Sequence, residues 1–153
     1  MNQTDQNYQG QIDQLRAKLG YHFVALAFAQ SAADGFVVAW QFASGNLNNR
    51  YKRIVLQSGK GIAGLVFKTG KNLIMSDIKQ DLKEKDLFKY PIIMSEQLRS
   101  LIAIPLFQYD RVVGVLLAGY RENQQIEEQN YTELLDYMNE YFTGFDTKEL
   151  SRQ

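Results

Sequence analysis

The glycine-rich stretch from Gly59 to Gly64 has the residue types and spacing of a phosphate- or anion-binding turn. It reads G-x-G-x-x-G, the pattern that cradles a dinucleotide pyrophosphate, and Asp81 follows at about the distance of a ribose-binding acid. A dinucleotide site needs a parallel β–α–β unit, whereas the preceding strands are spaced like hairpins. Two other interpretations remain. The glycines form a tight turn with positive φ, or a helix begins here and the amides of Ile62 and Ala63 hold a small anion.

The only tryptophan, Trp40, falls in a second predicted strand. An indole N–H is a donor only and needs an acceptor when it is buried, which an anion would supply. A plain core position is the alternative, because a lone tryptophan on a strand usually packs inside the protein.

Apolar residues follow directly after a charged segment at Tyr90-Pro91-Ile92-Ile93. This pattern indicates a segment that folds back over the core. It forms either a hydrophobic plug or the wall and lid of a pocket, and the sequence by itself favours the plug.

Several kinds of catalytic and metal site are excluded by composition. The chain has no cysteine, so it has no disulfide, no thiolate metal site and no cysteine nucleophile. One histidine, His22, cannot form a multi-histidine metal site, and no serine stands in a G-x-S-x-G context, so His22 is interpreted as structural. Glu133, Asp136 and Glu140 share one face of the last predicted helix, which is typical of a solvated surface. We therefore predict no catalytic residues and no metal ligands.

Length indicates a single domain over residues 1–153, and the lack of cysteine and of a secretory signal indicates a cytoplasmic setting. The 17 basic and 17 acidic residues balance, which argues against binding to nucleic acid or to an anionic membrane surface. The short basic run Arg50–Arg53 is predicted to lie on an edge strand. Apolar runs such as 112–119 are too short to cross a bilayer, and the N-terminus has neither the basic nor the apolar region of a secretory signal.

Hydrophobic spacing predicts the elements that must position these groups. Tyr8, Ile12, Leu15 and Leu19 make one apolar stripe of an N-terminal helix that Gly20 ends. Strands are predicted at 21–29, 36–42, 51–56, 72–75, 98–107 and 112–120, the last two as a hairpin. Further helices are predicted at 62–68, 81–89 (exposed, and broken by Tyr90 and Pro91) and about 127–142. Closely spaced strands with terminal helices give an α+β domain with an antiparallel sheet.

The segments GKGIAGLVFKTGK, SLIAIPL and RVVGVLL, in this order and spacing, resemble a GAF domain. The resemblance extends over a core of about 21–142. It implies an antiparallel central sheet with an N-terminal helix (about 5–19) and a C-terminal helix (about 127–142) on one face and a ligand pocket on the other.

Within that family the chain is similar to stand-alone nitrate receptors that act with an oxygen-sensing histidine kinase and its response regulator. The resemblance implies that nitrate is the ligand, with no cofactor and no enzymatic activity, in a two-component system for nitrate respiration. Backbone amides of Ile62, Ala63 and Ile92 and the indole of Trp40 would bind the anion, and Tyr90 and Pro91 would shape the wall.

Three other interpretations remain open within the family. One is a sensor for an amino acid or a purine, and another is a ligand-free interaction module. A third is an enzyme on a small metabolite, although relatives that reduce free methionine sulfoxide use cysteines, which this chain lacks. The terminal helices could also pair two copies across a two-fold axis as a homodimer.

Overall fold

The computed structural model describes residues 7–142 and 144–146. Its α-helices are α1 (Tyr8–Leu19), α2 (Gly61–Thr69), α3 (Ile78–Asp81), α4 (Pro91–Glu96) and α5 (Glu128–Tyr141). Its strands are β1 (Phe23–Ala32), β2 (Gly35–Ser44), β3 (Val55–Gln57), β4 (Leu73–Met75), β5 (Ser100–Gln108) and β6 (Arg111–Tyr120). Two 3-10 helices, Arg50–Arg53 and Glu84–Lys89, complete the set.

The strands form one sheet in the order β3-β2-β1-β6-β5-β4, and every neighbouring pair is antiparallel. Helix α2 connects β3 at one edge of the sheet with β4 at the other edge. The glycine-rich turn between β3 and α2 therefore belongs to no parallel β–α–β unit. This topology excludes the dinucleotide interpretation of the turn.

Each face of the sheet has its own hydrophobic core, as alternation along β1 shows. Val24 and Leu26 pack in the cluster that includes the buried faces of α1 and α5, whereas Phe23 and Ala25 pack in the cluster that includes α2 and α4. Successive side chains of a strand point to opposite faces, so the two clusters lie on opposite sides of the sheet. The predicted α+β fold, with both terminal helices on one face, is confirmed.

Strong local signals placed their elements well. Helix α1 spans the predicted residues 8–19, and Gly20 ends it in the left-handed conformation, with φ of 83°. Tyr109 and Asp110, with φ of 52° and 64°, form the two-residue turn of the β5–β6 hairpin. No helix in the described part of the chain is long and apolar enough to span a membrane.

The predicted strand at 51–56 is wrong in its first half. Residues Arg50–Arg53 form a 3-10 helix, and β3 begins only at Val55. The side chain of Asn48 accepts a hydrogen bond from the Arg50 amide (2.9 Å), and Tyr51 is buried, so a turn replaces the extended chain. The basic run therefore does not lie on an edge strand.

The predicted helix at 81–89 is also wrong, because two shorter elements replace it. Asp77 caps α3 by accepting from the Lys79 amide (3.2 Å), and the 3-10 helix Glu84–Lys89 follows. Pro91 begins α4 at its first position, where its missing N–H costs nothing. Residues 5 and 6 of the predicted N-terminal helix lie outside the described residues.

Candidate functional site

The glycine-rich turn brings the start of α2 into the core. Gly59 and Gly61 have φ of 87° and 65°, a conformation that other residues rarely adopt. Gly64 lies so close to β3 that an added Cβ would be 2.3 Å from the carbonyl oxygen of Gln57. The Gly59 amide also donates to the Gly64 carbonyl (2.7 Å), which closes the turn. These glycines therefore permit a sharp turn and close packing of the helix against the sheet.

The first turn of α2 offers backbone donors inside the protein. Lys60 is the N-cap, and its side chain makes no capping hydrogen bond. The first N–H groups of an α-helix have no acceptor within the helix, and the helix dipole makes this end positive. Ile62 and Ala63 are both 0% exposed. Their amides are therefore suited to binding a small anion that has shed its water.

Helix α4 offers a single donor at its start. Pro91, the first residue, has no N–H, and the Ile93 amide donates to the Tyr90 carbonyl (3.0 Å). The amide of Ile92, which lies between them and is 1% exposed, is the remaining donor of this turn.

Trp40 has a buried side-chain donor. It lies on β2 opposite Ala27 of β1 and is 2% exposed. Its Nε1 is buried and has no hydrogen-bond partner among the described residues. A buried donor without an acceptor costs about 1–3 kcal/mol, so this indole N–H favours the presence of a ligand in the functional protein.

One hydrophobic cluster brings most of the predicted site residues together. Trp40, Ile62, Ala63 and Ile92 are buried members of it, and Tyr90 packs against it. Pro91 is half-buried at the start of α4. Their roles in binding remain a prediction, because a shared cluster does not by itself show where each donor points.

An open pocket lies in the segment 78–97, part of which packs in this cluster. The pocket has a volume of about 490 Å³ and is lined by Ile78, Leu82 and Leu87 together with Lys79 and Glu84. Ile78 belongs to the same cluster as Trp40, and both leucines pack against it. The segment thus has room beside it for a change in packing.

Sequence reasoning missed a buried ion pair that ends the same segment. Glu96 is 0% exposed, and its Oε1 lies 2.6 Å from Nη2 of Arg121. Burial raises the pKa of Glu96, and the Leu47 amide and Arg121 offset this only in part. The one signal in the sequence was an acid two positions after an apolar run that ends at Met94, which is too common to single out.

His22 has the structural role that the sequence indicated. Its Nδ1 accepts the backbone N–H of Arg121 (2.8 Å), and its ring packs edge-on against Tyr120. The acidic residues of α5 are exposed, as predicted, and no group of three or more metal-ligating side chains occurs among the described residues.

Comparisons with known proteins add the family. The model of the GAF domain family (GAF_2) matches residues 9–138. A structure of a hypothetical protein from Staphylococcus aureus is 38% identical, with a TM-score of 0.76, over 80% of this chain and 98% of that one. A structure of S. aureus NreA, mutated in its nitrate-binding site, is also 38% identical, with a TM-score of 0.76, over 80% and 90% of the two chains.

More distant structures share the fold. The free methionine-R-sulfoxide reductase of Neisseria meningitidis is 22% identical, with a TM-score of 0.66, over 91% of this chain and 77% of that one. The comparison with curated protein sequences gave no match.

Proposed function

This chain belongs to the GAF domain family, and from that premise we propose that it is a nitrate sensor. Nitrate would bind between the starts of α2 and α4 and the indole of Trp40. The observation that carries the proposal is the buried Nε1 of Trp40, which has no partner among the described residues. It lies in the same cluster as the two helix starts. The similarity to S. aureus NreA, a protein with a nitrate-binding site, supports the choice of anion.

The energetics of such a site suit a singly charged anion. Removing an ion from water costs several kcal/mol, and each hydrogen bond to a charged group returns about 1.5–3 kcal/mol. The amides of Ile62, Ala63 and Ile92 together with the indole can offset that cost without a cation. Nitrate is planar and weakly hydrated, whereas sulfate and phosphate bring more charge into the same apolar surroundings. We therefore expect selectivity for nitrate.

Signalling would follow from a change in the protein, since the site contains donors and no reactive group. The proposed receptor is not an enzyme. It is cytoplasmic and restrains a sensor histidine kinase until nitrate binds. Nitrate must then favour one of two conformations, and the segment 78–97 that covers the site is the element proposed to change.

A homodimer would have to use the outer faces of the terminal helices. The apolar stripes of α1 and α5 are already buried against the sheet: Ile12, Leu15 and Leu134 are each 0% exposed. The proposed pairing of two copies therefore draws on exposed residues such as Tyr141.

The test is calorimetric titration with nitrate, nitrite, chloride and sulfate. We expect saturable binding that is selective for nitrate, and a dissociation constant at least tenfold higher in Trp40→Phe, which removes the indole N–H. Tyr141→Phe, an exposed aromatic change on α5, is the matched control and should bind like the unchanged protein. No heat with any anion, from folded protein, would reject the nitrate proposal and leave an amino-acid or purine sensor or a ligand-free module.

The kinase proposal has a separate test. Autophosphorylation of the sensor kinase is measured alone, with this protein, and with this protein and nitrate. We expect inhibition by the nitrate-free protein and its relief by nitrate. An unchanged rate in all three reactions would show that the kinase is not the partner.

A further inference from the structure

Glu96 ends the helix that carries Ile92. The two residues are four positions apart, so they lie on the same face of α4, and both are buried. The Oε1 of Glu96 accepts the Leu47 amide (2.8 Å) and Nη2 of Arg121 (2.6 Å). Its Oε2 is buried and has no hydrogen-bond partner among the described residues. A fully buried carboxylate is thus held by two hydrogen bonds to Oε1, and the backbone N–H of Asn48 also stabilises its charge.

Arg121 connects three elements with one guanidinium group. Its Nε donates to the main-chain oxygen of Glu96 (2.7 Å). Its Nη1 donates to the carbonyls of His22 (3.2 Å) and Gly45 (3.1 Å). His22 directly precedes β1, and Gly45 directly follows β2, the strand of Trp40. Arg121 therefore ties α4 to the end of β2.

A second contact strengthens the same link. The side-chain amide of Asn48, in the loop after β2, donates to the Ser95 carbonyl in α4 (2.9 Å). The end of α4 is therefore fixed to this loop at Leu47 and Asn48 as well as through Arg121.

Stability alone is a poor account of this arrangement. Desolvating two charges is costly, and replacing a buried ion pair with apolar residues is often neutral or stabilising. An apolar pair could not provide the hydrogen bonds that one side chain makes to α4 and to the residues that flank β1 and β2.

Resting on the function proposed above, we propose that Glu96 and Arg121 are positioning residues for nitrate. They hold α4 against the end of β2 so that the Ile92 amide and the Trp40 indole meet the same anion. Neither side chain touches nitrate itself. Breaking the pair should weaken the contact from Ile92 first, while the amide of Ala63 in α2 keeps its contact.

The experiment follows backbone and indole N–H resonances during a nitrate titration, beside calorimetry. Glu96→Gln keeps an oxygen for the Leu47 amide and removes the charge. The double variant Glu96→Leu/Arg121→Met replaces the pair with apolar side chains. Lys89→Gln is the control, because Lys89 is exposed on the same segment and its ion pair is with the half-buried Asp86 (3.3 Å). Urea unfolding of each protein checks that it folds.

We expect the dissociation constant for nitrate to rise severalfold in Glu96→Gln and at least tenfold in the double variant, and to stay unchanged in Lys89→Gln. The nitrate-induced shift of the Ile92 amide should shrink in both pair variants, while that of Ala63 persists. If the double variant does not fold, Glu96→Gln decides alone.

Two results would overturn the inference while leaving nitrate binding intact. One is unchanged affinity and an unchanged Ile92 shift in the pair variants. The other is an equal loss of the Ile92, Ala63 and Trp40 shifts, which would mean that the pair acts on the whole structure. No nitrate-induced shift in the unchanged protein would instead reject the proposed function itself.

Discussion

Arg99 and Arg121 lie opposite each other where the β5–β6 ladder ends, and each holds one end of the segment that covers the candidate site. Ser100 pairs with Tyr120, and the Arg99 amide donates to the Tyr120 carbonyl (2.7 Å). Arg99 Nε lies 3.5 Å from Asp77 Oδ1 at the start of the segment, and Arg121 contacts Glu96 at its end. The end of the sheet thus holds the segment 78–97 on both sides, through Asp77 directly before it and through Glu96 near its end.

The two anchors should differ in strength. The Arg99–Asp77 pair is longer, and Nε of Arg99 makes no hydrogen bond among the described residues. Asp77 also keeps two other partners, the Lys79 amide and Nε2 of Gln125 (3.0 Å). We therefore expect Arg99→Leu to change the nitrate dissociation constant, measured by calorimetry, less than Glu96→Gln does. An equal loss of affinity would show that both anchors position the site.

Gly64 is expected to tolerate no side chain. In Gly64→Ala the new Cβ would meet the carbonyl oxygen of Gln57 at 2.3 Å, and this backbone atom cannot swing aside like a flexible side chain, so α2 must move away from β3. We expect a loss of about 1–3 kcal/mol in urea unfolding and weaker nitrate binding, because the amides of Ile62 and Ala63 move with the helix.

Gly10→Ala is the control for that change. Gly10 is exposed in α1, and an added Cβ would meet only the flexible side chain of Asn7 at 3.3 Å. Removing a helical glycine should stabilise the protein by about 0.5–1 kcal/mol and leave nitrate affinity unchanged. Unaltered affinity in Gly64→Ala would contradict the assignment of the α2 amides to the site.

Sequence patterns predicted the parts of the fold that local signals determine. The apolar stripe of α1, the glycine that ends this helix and the turn of the β5–β6 hairpin are each determined by residues close together in the sequence. The 3-10 helix Arg50–Arg53 depends instead on burial of Tyr51 in the core, which no local pattern shows. Charges at helical spacing likewise predicted one helix at 81–89, whereas the structure has α3, which Asp77 caps, then a 3-10 helix, and then α4, which begins at Pro91.

Some residues of the candidate site could be predicted from local sequence patterns, and others could not. The amides of Ile62 and Ala63 follow from a local glycine pattern, and Trp40 from the chemistry of its indole. Glu96 and Arg121 meet across 25 positions of sequence, because α4 and the end of β6 are brought together only by the folded sheet. Such contacts are tertiary, and a single sequence carries no period or motif for them.

The raised pKa of Glu96 should make the free energy of unfolding depend on pH. Burial raises its pKa above the ordinary value of 4.5, so the folded state favours the neutral acid. The stabilisation that follows from this raised pKa is fully present below pH 4.5 and is lost as the pH rises through the pKa of Glu96 in the folded state. Urea unfolding from about pH 4 to about pH 8 should therefore show the unchanged protein losing stability relative to Glu96→Gln as pH rises. A constant difference, or one of opposite sign, would contradict a raised pKa.

Trp40→Phe should separate ligand binding from folding. The change removes a buried N–H that has no partner, which offsets part of the cost of the smaller ring in the nitrate-free protein. Nitrate that binds only the folded protein raises its melting temperature by mass action. We expect a large rise with nitrate in the unchanged protein and little rise in the variant. Equal rises in both would exclude the indole as a donor.

Pro91 should contribute to affinity by fixing the start of α4. Proline restricts the unfolded chain, so Pro91→Ala should cost about 0.4–1 kcal/mol in urea unfolding. Alanine at the first position of α4 also leaves the backbone freer there, so the amide of Ile92 is held less firmly. If binding loses the same free energy as folding, the nitrate dissociation constant measured by calorimetry rises about 2–5-fold. Pro105→Ala is the matched control, because the chain's other proline lies on β5 opposite Val115. It should change stability without changing nitrate affinity. If Pro91→Ala behaves like that control, Pro91 acts in folding alone and α4 needs no fixed start to bind the anion.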